Sequence, residues 1–306
     1  MELSATFLGT SASTPTGARG LSSVALQYEG TVLLLDCGEG TQRQMLKAGV
    51  SHAKVKAVFL SHFHADHILG LPGLIATMNI YEREDPLFVF GPKNVREKVQ
   101  SLLSMAVAKP EFQVIAKTTT KNIVFRDKKF SVSAFPLTHT SQCFGYSFSE
   151  KDKPAEFMRE KAEKVLGIPA GPMYSKLAQG KSINFKGKKI TPDMVLDYSK
   201  GRKGRKISYC IDTIADKSYV PEIRDSCLLI HDSSFSDAES EKALETGHST
   251  SKQAAEAAKK SNSKMLALTH FSARYNDISP LLEEARAVFP DTEAAQDLQK
   301  IHVKPR

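Results

Sequence analysis

A chain of 306 residues, 41% apolar and 25% charged, can bury a large core and has the composition of an ordinary soluble globular protein. No stretch approaches the roughly 18 apolar residues of a membrane helix, and Met1-Glu2-Leu3-Ser4 lacks the basic flank and apolar run of a signal peptide. The net charge is +8, but residues 151–206 alone hold 15 Lys or Arg against 6 Asp or Glu, so this segment carries +9 and the remainder −1.

Short apolar runs alternate with helical patterns, the mark of a layered α/β fold. In chain order, Ala5–Leu8, Ser23–Tyr28 and Thr31–Leu35 read as strands and Gly40–Ala48 as a helix. Val55–Leu60 reads as a buried strand. It runs into Ser61-His62-Phe63-His64-Ala65-Asp66-His67, and then into a helix over Ile68–Tyr81. Imidazole nitrogen and carboxylate oxygen suit zinc and its first-row neighbours, and α/β folds place their chemistry at the C-terminal ends of strands. Leu87–Phe90 follows as a strand, Val95–Val107 as a helix, and Phe130–Leu137 and Gly145–Phe148 as strands.

Residues 151–206 break the alternation. Gly167-Ile168-Pro169-Ala170-Gly171-Pro172 and four further glycines mark an inserted arm. A helix over Glu156–Leu166 is expected at its start, with Phe157, Val165 and Leu166 on one face. A basic segment on a neutral body suits a polyanionic partner, or it is a solvated loop. Beyond the arm, Ile207–Ile211, Cys227–Ile230 and Met265–Thr269 read as strands. Ser249–Lys260, opened by Ser249-Thr250-Ser251, and Pro280–Val288 read as helices. The four cysteines form no C-x-x-C pair, and are expected to be buried thiols of an intracellular, cytoplasmic protein.

Several strands end on a candidate ligand: Phe130–Leu137 runs on to His139, Ile207–Ile211 to Asp212, Cys227–Ile230 to His231 and Asp232, and Met265–Thr269 to His270. A lone histidine after a strand is more often structural; four such endings beside the His62–His67 cluster favour a metal centre. His62, His64, Asp66, His67, His139 and His270 supply six ligands. Asp212 can bridge with two oxygens, which completes two four-ligand sites suited to a phosphodiester displacement. His52 and His302 read as surface residues.

His62-Phe63-His64-Ala65-Asp66-His67 resembles the H-x-H-x-D-H motif of the metallo-β-lactamase superfamily. Within it the chain is similar to the tRNase Z family, short form. The similar stretches are Phe7–Ser11, Asp36–Gln42, Gly70–Leu74, Gly171-Pro172-Met173-Tyr174 and Thr269–Tyr275. The resemblance implies a single domain over residues 1–306, a four-layer αββα sandwich with a basic exosite arm inserted at about 151–206. It implies a zinc-dependent endoribonuclease that removes 3′ trailers from precursor tRNA, and a homodimer in which the arm serves the partner's active site. His62, His64 and His139 match the ligands of one zinc, Asp66, His67 and His270 those of the other, and Asp212 the bridge; manganese or cobalt would suit the same ligands. Asp66 also matches the proton acceptor and His248 the proton donor. Ser272, Arg274, Gly171, Pro172 and Lys176 are expected RNA contacts.

The chain departs from the family pattern twice. Where the family pairs its histidine acid with the glutamate of His-Glu-Ala-Thr, this chain has His231-Asp232-Ser233-Ser234, with Asp232 expected to orient His248. Pro15-Thr16-Gly17-Ala18-Arg19-Gly20 keeps only Pro15 and Arg19 of a Pro-x-Lys-x-Arg-Asn loop linked to sensing a CCA end. Two other readings stand beside the nuclease. One is a hydrolase of the same fold acting on small phosphodiesters, thioesters or lactams, which leaves the arm unexplained. The other is a catalytically weak RNA-binding relative, for which Asp232 is the argument.

Overall fold

In the computed structural model, which describes residues 2–106 and 109–304, the apolar runs assemble into two seven-stranded sheets. The first has the spatial order Lys300–His302, Leu3–Gly9, Ser23–Tyr28, Thr31–Leu35, Val55–Phe59, Leu87–Gly91, Val114–Thr118. The second runs Thr292–Ala294, Leu266–Thr269, Leu228–Asp232, Lys206–Cys210, Cys143–Glu150, Phe130–Leu137, Asn122–Arg126. Thr31–Leu35, Val55–Phe59 and Leu87–Gly91 are mutually parallel, as are Lys206–Cys210, Leu228–Asp232 and Leu266–Thr269.

The period-2 alternation of side chains explains how each sheet is covered on both faces. Phe7, Val24, Leu33 and Phe59 point into a shared core with Phe130, Tyr146, Tyr209 and Ile230 of the other sheet. Their neighbours Leu8, Ala25, Leu34 and Val58 pack instead on Met45, Leu71, Leu74, Ile75 and Val99 of the helices Thr41–Lys47, Leu71–Ile80 and Val95–Met105. On the far side Cys210, Leu229, Leu266 and Leu268 pack on Ala254, Ala255, Ala258 and Leu281 of Ser251–Lys260 and Ser279–Val288. The layers are therefore αββα. The four cysteine thiols are buried and no disulfide joins them, and no helix among the described residues is long and apolar enough to cross a membrane.

All the strands and helices named from sequence for this unit appear, with ends shifted by a few residues. Val107, the expected end of the fourth helix, lies outside the described residues. One helix is corrected. The run Ile68–Tyr81 is divided between Ala65–Ile68 and Leu71–Ile80, because Gly70 is packed against the loop after Thr31–Leu35. Its amide donates to Cys37 O at 2.9 Å, and the Cys37 amide donates to His67 O at 2.9 Å. A Cβ on Gly70 would lie 2.0 Å from Gly38 O, and one on Gly38 would lie 2.4 Å from Asp66 O. This glycine pair lets the histidine motif lie directly on the end of a neighbouring strand. Thr250 caps Ser251–Lys260 with a reciprocal Gln253 contact, a capping box.

Residues Glu150–Arg205 form a second compact unit. The expected helix over Glu156–Leu166 is not there. Glu156–Phe157 pairs as a strand with Leu196–Asp197, and Lys161–Val165 makes one π-helical turn. Val165, expected on the apolar face, is 72% exposed. The unit has a core of its own, in which Ala162, Ile168, Leu177, Ile183, Ile190 and Val195 are buried and Phe157 and Leu166 pack against them. Its ends are held by Glu150, which takes Arg202 and Arg205 together.

Candidate metal centre

Strand ends gather the candidate residues. His62 and His64 follow Val55–Phe59, His139 follows Phe130–Leu137, Asp212 follows Lys206–Cys210, and His270 follows Leu266–Thr269. Asp66 and His67 sit in the short helix Ala65–Ile68. Asp212 and His270 have φ values of 50° and 62°, a left-handed conformation uncommon outside glycine and concentrated at functional sites. There it turns the chain abruptly as the strand ends.

The side chains converge in two groups, His62, His64, His139 and Asp212, and Asp66, His67 and His270, each with its ligand atoms within 4.8 Å of one another. Asp212 is shared in fact. Its Oδ2 lies 3.5 Å from His62 Nε2 and 3.6 Å from His139 Nε2. Its Oδ1 lies 3.4 Å from His67 Nε2 and 3.0 Å from His270 Nε2. A third grouping, Asp212, His248 and His270, overlaps these.

The donor set fits a cation. His62 Nε2, His67 Nε2, His270 Nε2 and Asp212 Oδ1 are buried and crowd together without a well-aligned hydrogen bond to any of them, although buried polar atoms almost always have one. The electrostatics agree. Burial disfavours the charged form of His67, yet Asp212 and Asp36 hold its pKa well above the usual imidazole value. Burial likewise opposes protonation of His270, and Asp212, Asp232 and Asp66 still raise it to about 10. His62 is held well below its usual value by burial and by His67. Burial raises the Asp212 carboxyl, but His270, His67 and His62 outweigh it and keep Asp212 ionised. The carboxylates thus demand positive charge at their centre, and a nitrogen and oxygen donor set is suited to zinc, manganese or cobalt.

Partners behind these candidate ligands orient their rings. Asp36 Oδ2 accepts from His67 Nδ1 at 2.8 Å, Ser61 Oγ at 2.9 Å and Tyr209 OH at 2.9 Å. With its proton on Asp36, Ser61 Oγ accepts from His62 Nδ1 at 2.9 Å. His139 Nδ1 donates to Gly247 O at 2.8 Å. Gly247 has φ 78°, and a Cβ there would lie 2.7 Å from His139 Nδ1. Ser234 Oγ is 3.0 Å from His270 Nδ1 and 2.7 Å from Asp232 Oδ1. In these four residues Nδ1 is engaged from behind and Nε2 faces inward, where its lone pair would be free for a cation that displaces the ring's second proton. The sequence reading gave no role to Asp36, Ser61, Ser234 or Gly247. For Asp36 the signal was there: a carboxylate ending the apolar run Thr31–Leu35, the pattern that singled out Asp212.

His248 Nδ1 lies 2.9 Å from Asp232 Oδ2, and Asp232 is fully buried. Burial opposes protonation of His248, but Asp232 holds its pKa above the usual value. His231 is a satisfied core residue, not a ligand: its Nε2 meets Tyr219 OH at 2.8 Å and its Nδ1 the Asp232 carbonyl at 2.8 Å. Arg274 is ion-paired with Glu239, lies 5.0 Å over the Phe235 ring, and donates from Nε to Ser272 Oγ at 3.2 Å. Arg19 donates to Tyr275 O at 2.6 Å. In the arm Gly171, Pro172 and Lys176 are exposed on and beside the helix Pro172–Ala178.

Comparison with known proteins agrees with this architecture. A family model described as anti-Pycsar protein Apyc1 matches residues 3–152. The short form of human tRNase Z superposes with a TM-score of 0.72 at 28% identity, covering 98% of this chain and 99% of that one. YhfI of Bacillus subtilis, a metallo-β-lactamase fold protein, gives a TM-score of 0.71 at 18% identity over 99% and 100% of the two chains, a likeness of fold. A ribonuclease Z of Methanothermobacter thermautotrophicus is 40% identical over 98% of this chain and 96% of its own. The ribonuclease Z of Archaeoglobus fulgidus is 43% identical over 97% of each chain. With the metallo-β-lactamase layers, two histidine groups joined by Asp212, and identity of this order from end to end, the chain belongs to the ribonuclease Z family.

Proposed function

We propose that this chain is a zinc-dependent endoribonuclease that removes 3′ trailers from precursor tRNA, cutting after the discriminator nucleotide and leaving a 3′ hydroxyl. The supporting observation is the division of labour at Asp212, with one oxygen facing His62 and His139 and the other His67 and His270. His62, His64 and His139 would hold one ion, Asp66, His67 and His270 the second, and Asp212 both. Such a pair of cations lowers the pKa of an attacking water and stabilises the entering and leaving oxygens of a phosphodiester.

The side chains supply the proton traffic. Asp66 accepts the proton of the attacking water. His248, with Nδ1 engaged by Asp232, has Nε2 left to protonate the leaving 3′ oxygen. Ser272 and Arg274 hold a phosphate beside the scissile bond, the guanidinium exchanging Glu239 for the RNA. Lys176, Lys181, Lys186, Lys188 and Lys189 are exposed in the arm, and phosphate contacts of this kind position RNA without reading bases. We assign the arm, with Gly171 and Pro172 opening its helix, to the tRNA exosite of a homodimer, each arm serving the other protomer. The buried thiols suit a cytoplasmic setting.

The test is incubation with a 3′-extended precursor tRNA, and separately with a small chromogenic phosphodiester. A single cut after the discriminator, with a 3′ hydroxyl on the tRNA, is expected. Hydrolysis of the small ester alone would favour a general phosphodiesterase, and tight RNA binding with no cut a non-catalytic relative.

A further inference from the structure

Asp297 takes no part in the chemistry above. It lies between the strands Thr292–Ala294 and Lys300–His302, half-buried, with its carboxylate on the segment Thr10–Gly20. Oδ1 accepts from the Thr10 hydroxyl at 2.8 Å. Oδ2 accepts from the Gly20 amide at 2.7 Å and from Gln44 Nε2 at 2.7 Å. One carboxylate thus closes both ends of the loop and ties them to the helix Thr41–Lys47. A Cβ on Gly20 would lie 3.3 Å from Asp297 Oδ2, so the glycine lets the carboxylate sit directly on the backbone.

The loop so closed is internally braced. Ser11 N donates to Gly20 O at 2.9 Å, Ser11 Oγ to Thr14 O at 2.7 Å, and Thr16 N to Arg19 O at 2.8 Å. Bracing holds Ser13 at φ 57°, with its amide donating to Asp66 Oδ2 at 2.8 Å. That same oxygen lies 3.3 Å from His67 Nε2 and 3.6 Å from His270 Nε2. A hydrogen bond to one carboxylate oxygen fixes the side-chain rotamer and decides which oxygen faces the site.

We propose that Asp297 is a positioning residue for Asp66: by clamping both ends of the Thr10–Gly20 loop it holds the Ser13 amide on the carboxylate oxygen that meets the metal centre. The proposal rests on the reading of Asp66 as a metal ligand. It makes the altered Pro15–Gly20 loop part of the support for the centre.

Asp297→Ala removes these three contacts and the one from the Thr10 amide. Asp297→Asn can keep the three, with the amide oxygen accepting from Gly20 and Gln44 and the amide nitrogen donating to Thr10 Oγ1. Metal-free protein is titrated with zinc against a chromogenic chelator, and kcat and KM are measured on a small phosphodiester. Asp297→Ala is expected to weaken the looser zinc site about tenfold, the low end of the range for groups behind a ligand, and to lower kcat with KM unchanged; Asp297→Asn should restore both. Thr10→Val, which removes the Oδ1 contact alone, should move zinc affinity in the same direction by less, and covers the case in which Asp297→Ala does not fold. Parental zinc affinity and kcat in folded Asp297→Ala and Thr10→Val, even with a lowered melting temperature, would make the clamp merely structural and overturn the proposal. Asp66→Asn is the control. If it binds zinc like the parent, the ligand assignment fails; if it loses zinc while the Asp297 and Thr10 variants do not, only the clamp fails.

Discussion

Asp232 offers the sharpest trial of the site, since a glutamate stands there in the family pattern. Its Oδ1 accepts from Ser234 N at 2.9 Å and Ser234 Oγ at 2.7 Å, and its Oδ2 from His248 Nδ1 at 2.9 Å, Thr213 N at 3.2 Å and Ser249 N at 3.3 Å. Asp232→Asn preserves volume but must turn its amide donors toward one of these donor sets. If it faces Ser234, two donors lose their acceptor, and at about 1–3 kcal/mol per buried unsatisfied group the fold loses about 2–6 kcal/mol. If it faces the Oδ2 donors, Thr213 N and Ser249 N lose their acceptor as well, and His248 loses a hydrogen bond worth about 1.5–3 kcal/mol to a charged group, which at about 1.4 kcal/mol per decade is about 10- to 150-fold in rate. Asp232→Glu inserts a methylene into a fully buried position. Overpacking costs about 1–3 kcal/mol, and a misplacement of about 1 Å costs about a hundredfold in rate. Asp232→Glu is therefore expected to cleave slowly, and Asp232→Asn to cleave slowly or to melt early according to the way its amide faces, measured as single-turnover cleavage of precursor tRNA with metal content and melting temperature checked for each. A parental or faster rate in Asp232→Glu would refute the reasoning. It would mean that the backbone is not built around the shorter side chain.

Four other outcomes are expected. Chelation should abolish cleavage and zinc or manganese restore it, while Asp212→Ala should lose metal as well as activity because it removes a ligand common to both groups; full activity in excess chelator, with no metal found by elemental analysis, would exclude a metal mechanism. His248→Ala should keep metal and tRNA binding but cut the single-turnover rate by about 10²–10⁴-fold, the range for general acid catalysis, and an unchanged rate would place the acid elsewhere. Replacing residues 154–201 by a short linker from Lys153 to Arg202, which already pair, should weaken precursor tRNA binding and its salt dependence while sparing hydrolysis of a small phosphodiester; equal loss on both substrates would tie the arm to the active site itself. Gly70→Ala should lower stability by about 1–3 kcal/mol as overpacking does, because its Cβ meets Gly38 O at 2.0 Å, and a thermal melt equal to the parent's would contradict that.

What the sequence disclosed follows from where its signals are strong. Strands buried on both faces have near-continuous apolar runs, so Thr31–Leu35 and Val55–Phe59 stand out. The edge strands Val114–Thr118 and Asn122–Arg126 are half exposed, and Thr292–Ala294 and Lys300–His302 are three residues long; none has enough apolar contrast to register. In the arm, the spacing of Phe157 and Leu166 fits a helix, but both pack on a core built from residues up to Val195. That long-range pairing overrides local periodicity, and single-sequence spacing cannot foresee it.

The metal centre divides in the same way. The candidate ligands announce themselves because several strands end on a histidine or aspartate beside the His62–His67 cluster. The groups behind them do not, because serine, glycine and a carbonyl oxygen are everywhere. Ser61 looks like any loop serine until Asp36 takes its proton and leaves its oxygen to hold His62. Asp36 reaches His67 directly and His62 through Ser61, so one buried carboxylate sets a tautomer in each histidine group. Asp232 stands in the same relation to the other side of the site, reaching His248 directly and His270 through Ser234. Two anions placed behind four imidazoles hold each Nδ1 from behind, and neither relation could be drawn from spacing. Asp36 and Asp232 are far apart in sequence and close strands of two different sheets, and only the packing of those sheets brings both against the same site.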